Sequence, residues 1–208
     1  MKKIVMFFSL VLVLSVSCRE TKKQQEETKD TLATVVDSPL DSPSMQDVIL
    51  GFVAAYNDQD TAKLNAYIHP DLGLYIIYTP GVGDVYHKVQ GLDFKNPVPE
   101  HFPYNKVNHD YSLRFESLPE FDCSKDRWTK KGFFCDSTAT PDQLALILDF
   151  KKDYESIPKA ETEQIKMIEK DSYRVILTKN DNLIFHIKRH KDAWYVTVLD
   201  RAYGWCDA

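Results

Sequence analysis

The chain has 208 residues, 43% of them hydrophobic and 27% charged, with a net charge of −5 at pH 7. That is enough length and apolar content for one domain with its own core. The acidic balance, with no basic stripe along the chain, argues against a nucleic-acid role, and no run approaches the roughly 20 apolar residues that span a bilayer.

The chain opens with Met1-Lys2-Lys3, followed by an apolar run from Ile4 to Val16 broken only by Ser9 and Ser15. A short apolar run behind a basic start suits a secretory signal, expected over residues 1–17. The run ends Leu14-Ser15-Val16-Ser17-Cys18, which resembles the lipobox cut by the lipoprotein signal peptidase of bacteria, although Ser15 stands where that motif usually has leucine. The resemblance implies lipid, palmitate included, on Cys18, because a thiol at a new amino terminus can take a diacylglycerol and its amine a further acyl chain. The chain is therefore expected to be exported and anchored to a bacterial membrane, on the periplasmic side or the outer surface.

Residues 18–44 change composition: Lys22-Lys23-Gln24-Gln25-Glu26-Glu27 leads to Ser38-Pro39 and Ser42-Pro43. With few apolar side chains to offset the entropy of ordering, this stretch reads as a flexible tether. A single domain is expected over 45–208. The late cysteines are Cys123, Cys135 and Cys206. An oxidising compartment allows one disulfide, Cys123 with Cys135 or Cys123 with Cys206, and the spacing does not choose between them.

Within the domain, Ser44 can cap a helix whose apolar stripe is Met45, Val48, Ile49, Phe52, Val53 and Tyr56. Asp60 can cap a second, short helix with Leu64, Tyr67 and Ile68. His69-Pro70-Asp71-Leu72-Gly73 is a turn, Leu74 to Thr79 a strand, and Val85 to Val89 a short strand. Residues 91–140 read as an irregular insertion: Pro97, Pro99 and Pro103 oppose regular structure, while Phe94, Phe102 and Tyr104 oppose disorder. Within this stretch Tyr111 to Leu118 alternates like a half-buried strand. Thr140-Pro141-Asp142 starts a helix with Leu144, Ile147 and Leu148 on its buried face. Tyr173–Lys179, Leu183–Lys188 and Trp194–Leu199 read as three strands joined by short links, hence an antiparallel meander.

Helices first, a strand, a later helix and a terminal meander resemble the NTF2-like (cystatin-like) α+β fold. The likeness lies in Phe52 to Tyr78, where Phe-Val-Ala-Ala-Tyr-Asn leads to Ile-His-Pro-Asp and a strand, and in Leu183 to Leu199. The resemblance implies amino-terminal helices packed on a curved antiparallel sheet around a pocket. The chain also resembles small lipoproteins of Bacteroidetes-type bacteria. Some NTF2-like proteins are isomerases or dehydratases and many only bind, so the fold leaves function open.

The candidate site residues follow from the pattern. His69 and Asp71 could act as a base and its orienting acid. Tyr75, Tyr78, Tyr86 and Trp194 could line an apolar cavity. His101 and His109 have no metal-ligand spacing, and no metal or cofactor is expected. His186 and His190 are expected to face solvent, and Asp200 and Arg201 to form a surface ion pair. No phosphate-binding glycine loop, nucleophile elbow or His-Glu-x-x-His is present. The sequence thus favours a membrane-anchored lipoprotein with a non-catalytic domain that binds a small ligand or an envelope protein. The alternative is acid–base chemistry of the isomerase or dehydratase type through His69 and Asp71.

Overall fold

The structure is a computed structural model that describes residues 42–107, 110–178 and 182–202. The expected leader, Cys18, nearly all of the tether, His109 and Cys206 lie outside the described residues. Helix α1, Met45–Asp58, starts with a reciprocal cap: Ser44 accepts from the Asp47 backbone N–H, and the Asp47 carboxylate accepts from Ser44. Helix α2, Thr61–Asn65, starts at Asp60, whose carboxylate accepts from the Lys63 N–H at 3.0 Å. Both caps stand where the sequence placed them.

Among the described residues, nine strands follow in chain order: β1 Leu74–Tyr78, β2 Val85–Val89, β3 Leu113–Phe115, β4 Phe121–Asp122, β5 Arg127–Trp128, β6 Gly132–Asp136, β7 Ser172–Thr178, β8 Leu183–His190 and β9 Ala193–Asp200. Between β6 and β7 come helices α3, Gln143–Lys152, and α4, Lys159–Glu169. Seven strands form one sheet in the order β2-β1-β9-β8-β7-β6-β3, and β4 and β5 form a separate ribbon. The expected meander is there: β7, β8 and β9 pair antiparallel. The sheet as a whole is not antiparallel but mixed. Strand β1 runs parallel to β9, with Tyr75 opposite Val198, and β3 runs parallel to β6. Parallel neighbours need a long connection, and most of the domain lies between β1 and β9.

Both faces of the sheet are covered. On one face, α1 and α2 pack with Leu74, Ile76, Phe133, Val175, Phe185, Ile187 and Leu199. On the other, Leu144, Ile147 and Leu148 of α3 and Ile165 and Ile168 of α4 pack with Tyr75, Ile77 and Val198. The alternation along β1 shows the period-2 rule directly: Leu74 and Ile76 face one layer, Tyr75 and Ile77 the other. This is why the strands carry apolar residues at successive positions rather than at alternate ones.

Residues 91–140 are not an insertion laid on the surface. Leu92, Tyr104 and Val107 are buried in the α1-side core, and β6 is a paired strand of the main sheet. Prolines broke the periodic signal here without preventing burial. Arg201 holds the proline segment in place. It donates to the carbonyls of Val98, Phe102 and Pro103, and its guanidinium lies 4.4 Å from the Tyr104 ring centre.

Cys135 sits on β6, buried, as a free thiol pushed up to about 12 by burial. A Cys123–Cys135 bridge is therefore not made, because the Cys135 side chain is committed to the α1-side core. Cys123 is disulfide-bonded. Among the described residues, no helix is long and apolar enough to cross a membrane.

Candidate functional site

An open groove of about 590 Å³ lies between α1, α2 and the start of β9. Its lining has three parts. Small residues Gly51, Ala54, Ala55 and Ala66 leave the space; Tyr67, Trp194 and Tyr195 supply aromatic surface; Asp58 and Lys63 add one charge of each sign. Gly51 leaves the room that Tyr67 occupies. A Cβ there would overlap the Tyr67 hydroxyl, so only glycine lets Tyr67 lie close against α1. The β9 side is fixed by a backbone bond from the Val196 N–H to the Tyr67 carbonyl at 2.8 Å. Trp194 is braced by Tyr173, with ring centres 5.8 Å apart. The size falls in the range of small-molecule sites, and a mainly apolar lining with a few polar groups is their usual chemistry.

His69 stands beside this groove. Its ring centre is 4.9 Å from that of the groove residue Tyr195 and 4.7 Å from that of His190. His69 Nδ1 accepts from the Asp71 backbone N–H at 3.1 Å. That leaves Nδ1 without a proton to offer the Asp71 carboxylate, which lies 3.9 Å away with its side chain 76% exposed. The two residues are neighbours, but the orienting bond of a base–acid pair is not formed between them. His190, expected in solvent, is half-buried against His69, and its Nε2 has no partner among the described residues. Burial and the nearby His69, Lys191 and Lys188 hold the His190 imidazole below its usual range.

The four aromatic candidates do not share one cavity. Tyr75 and Tyr86 touch each other on the α3/α4 face, with ring centres 5.8 Å apart. The Tyr86 hydroxyl donates to the Glu161 carboxylate, and burial with Glu161 beside it pushes the phenol up. Tyr78 packs with the opposite core, near Pro99, Phe102 and Arg201. Of the four, only Trp194 lines the groove. Sequence reasoning missed Gly51, Ala54, Tyr67 and Tyr195. The small residues at 51, 54 and 55 do share a helix face, a legible signal, but their partner on β9 is visible only in the fold.

A second polar group lies under α3 and α4. His186, expected in solvent, is fully buried, with neither ring nitrogen partnered among the described residues. It pairs across the sheet with Arg174 on one side and Val198 on the other. Burial, and then Arg174, hold its imidazole well below the usual value. Asp200 does not pair with Arg201. It is buried at the end of β9, and its Oδ2 meets Arg174 Nη2 at 2.5 Å. No group of three or more His, Cys, Asp or Glu side chains suited to a metal ion occurs among the described residues. Comparison with family models, with curated proteins and with solved structures gives no match.

Proposed function

We propose that this chain is a lipid-anchored protein of the bacterial cell envelope whose α+β domain binds a small amphipathic ligand in the groove between α1, α2 and β9, without catalysing a reaction on it. The observation that carries the binding reading is the groove itself: Tyr67, Trp194 and Tyr195 facing small side chains, with Asp58 and Lys63 in the same lining. Aromatic surface suits the apolar face of a ligand, and the two charges suit its polar groups. The export and anchor reading is supported by Lys2-Lys3, the apolar run Ile4–Val16 and the small residues before Cys18. We take the domain as NTF2-like, supported by leading helices, a terminal meander and a first hairpin that joins the last strand.

The test is to purify the full chain and its Trp194→Ala variant from the native envelope and to identify small molecules released on denaturation. A molecule retained near one per chain in the wild type and lost from the variant is expected. Equal retention by both, or none by either, would contradict the groove as the site.

A further inference from the structure

We infer that the domain itself touches the bilayer through an apolar patch formed by Val82, Leu146, Phe150 and Tyr154. This inference rests on the lipid-anchored reading, which delivers the domain to a membrane.

Eight large apolar side chains are exposed among the described residues, and four of them belong to α3, to the residue stretch just past it and to the β1–β2 turn that lies against it. Leu146 and Phe150 are one helical turn apart on the outer face of α3. Tyr154 follows just past the helix end, its ring centre 5.2 Å from that of Phe150. Val82 sits in the turn between β1 and β2, and the next residue, Gly83, lies against the Phe150 ring. Val82 is 94% exposed, Tyr154 77% and Leu146 58%. A soluble surface scatters single apolar residues, but a contiguous group at a protruding turn and helix face marks a contact.

The occupant that fits is a lipid surface rather than a second protein. A stable protein pair covers about 20–30 residues on each side; this patch offers four large apolar side chains. A few protruding tips suffice when another element already holds the molecule at the membrane, since burying one such side chain contributes on the order of 1.5–3 kcal/mol. A tyrosine at the edge suits the boundary between hydrocarbon and headgroup. The nearby lysines are paired with carboxylates, Lys152 with Asp149 and Lys151 with Glu155 and Glu161. Contact is therefore through apolar insertion, not through attraction to anionic lipid. Reach is sufficient: the 23 residues 19–41 span at most about 80 Å, while a domain of this size has a radius of gyration of about 15 Å.

The test uses the full, lipid-modified chain in phosphatidylcholine vesicles, carrying Val82→Cys labelled with an environment-sensitive fluorophore. Cys135, buried, stays unlabelled. Lys106→Cys, exposed beside the α1-side core residues Tyr104 and Val107 and outside the groove, serves as the aqueous reference. The Val82 probe is expected to be quenched several-fold more by spin-labelled lipid than by iodide, with the reverse at Lys106. Adding Leu146→Asp and Tyr154→Asp is expected to return the Val82 probe to iodide. Two results would overturn the inference: iodide quenching at Val82 equal to that at Lys106, or protection from both quenchers that grows with protein density, as a second copy would give. Whether the anchor exists is read separately, from the mass of the peptide beginning at Cys18.

Discussion

Arg174 on β7 reaches past β8 to Asp200 at the end of β9, so that a guanidinium and a carboxylate meet inside the layer between the sheet and helices α3 and α4. Burial pushes the Asp200 carboxyl up, while Arg174 and the Ala202 backbone N–H pull the other way. The ion is held by its partner and would be costly without it. Arg174→Ala is expected to destabilise the fold by about 3–5 kcal/mol, because it strands a buried charge. The apolar double variant Arg174→Met with Asp200→Leu is expected to recover most of that loss in urea unfolding. A double variant no more stable than Arg174→Ala would refute this account of the pair.

His186 sets the acid side of stability. Its imidazole is buried neutral, below its unfolded value near 6.5. The unfolded chain therefore binds the extra proton first, and stability present above pH 6.5 is lost as pH falls below it. His186→Leu removes two unpartnered buried nitrogens, and is expected to raise stability by about 1–3 kcal/mol at neutral pH. It is also expected to flatten the loss between pH 6.5 and 5. Unfolding curves for both proteins across that range check the point; an unchanged acid slope would count against it.

Glu169 works in the opposite sense. Its carboxylate, at the end of α4, accepts from the Leu144 and Ala145 N–H groups at the start of α3, at 2.7 and 3.3 Å. Burial nevertheless raises its carboxyl to about 7. Because the folded value lies above the unfolded one, this contribution is full below about pH 4.5 and is lost as pH rises through about 7. Glu169→Gln keeps an acceptor for the helix start and has no charge to desolvate. The variant is expected to gain stability over the wild type at pH 8, and the advantage should vanish at pH 5. The melting temperatures of the two proteins at those pH values decide it.

Gly51 gives the groove a direct test. Gly51→Ala places a methyl where the Tyr67 hydroxyl lies, so the end of the Tyr67 side chain must shift and reshape the groove, while alanine gains about 0.5–1 kcal/mol over glycine in the helix interior. Any ligand retained by the wild type should be lost, while Ala54→Gly, which only widens the same groove, should keep it. Retention by Gly51→Ala would mean that the ligand sits elsewhere.

Much of the fold was legible because local signals were strong. Ser44 and Asp60 cap where expected, since short polar side chains before apolar periodicity leave few other solutions. The β7–β8–β9 meander followed from alternation and short links. What could not be read is what depends on distant contacts. The parallel pairing of β1 with β9, the burial of Leu92, Tyr104 and Val107, and the enclosure of His186 all require knowing that helices cover both faces. Local sequence around His186 and Lys188 looks solvated because the α3 and α4 layer that hides it comes earlier in the chain. The site was half legible: Trp194 was named, but its partners Tyr67 and Gly51 come from a helix pair whose docking onto β9 no local pattern encodes.

The most direct measurement of the central claim is the mass of the amino-terminal peptide of the protein extracted from its native membrane fraction. The account predicts a peptide that begins at Cys18 and carries a diacylglycerol with a further acyl chain. A peptide that begins at Met1, or a free Cys18 on protein recovered from the aqueous fraction, would contradict it.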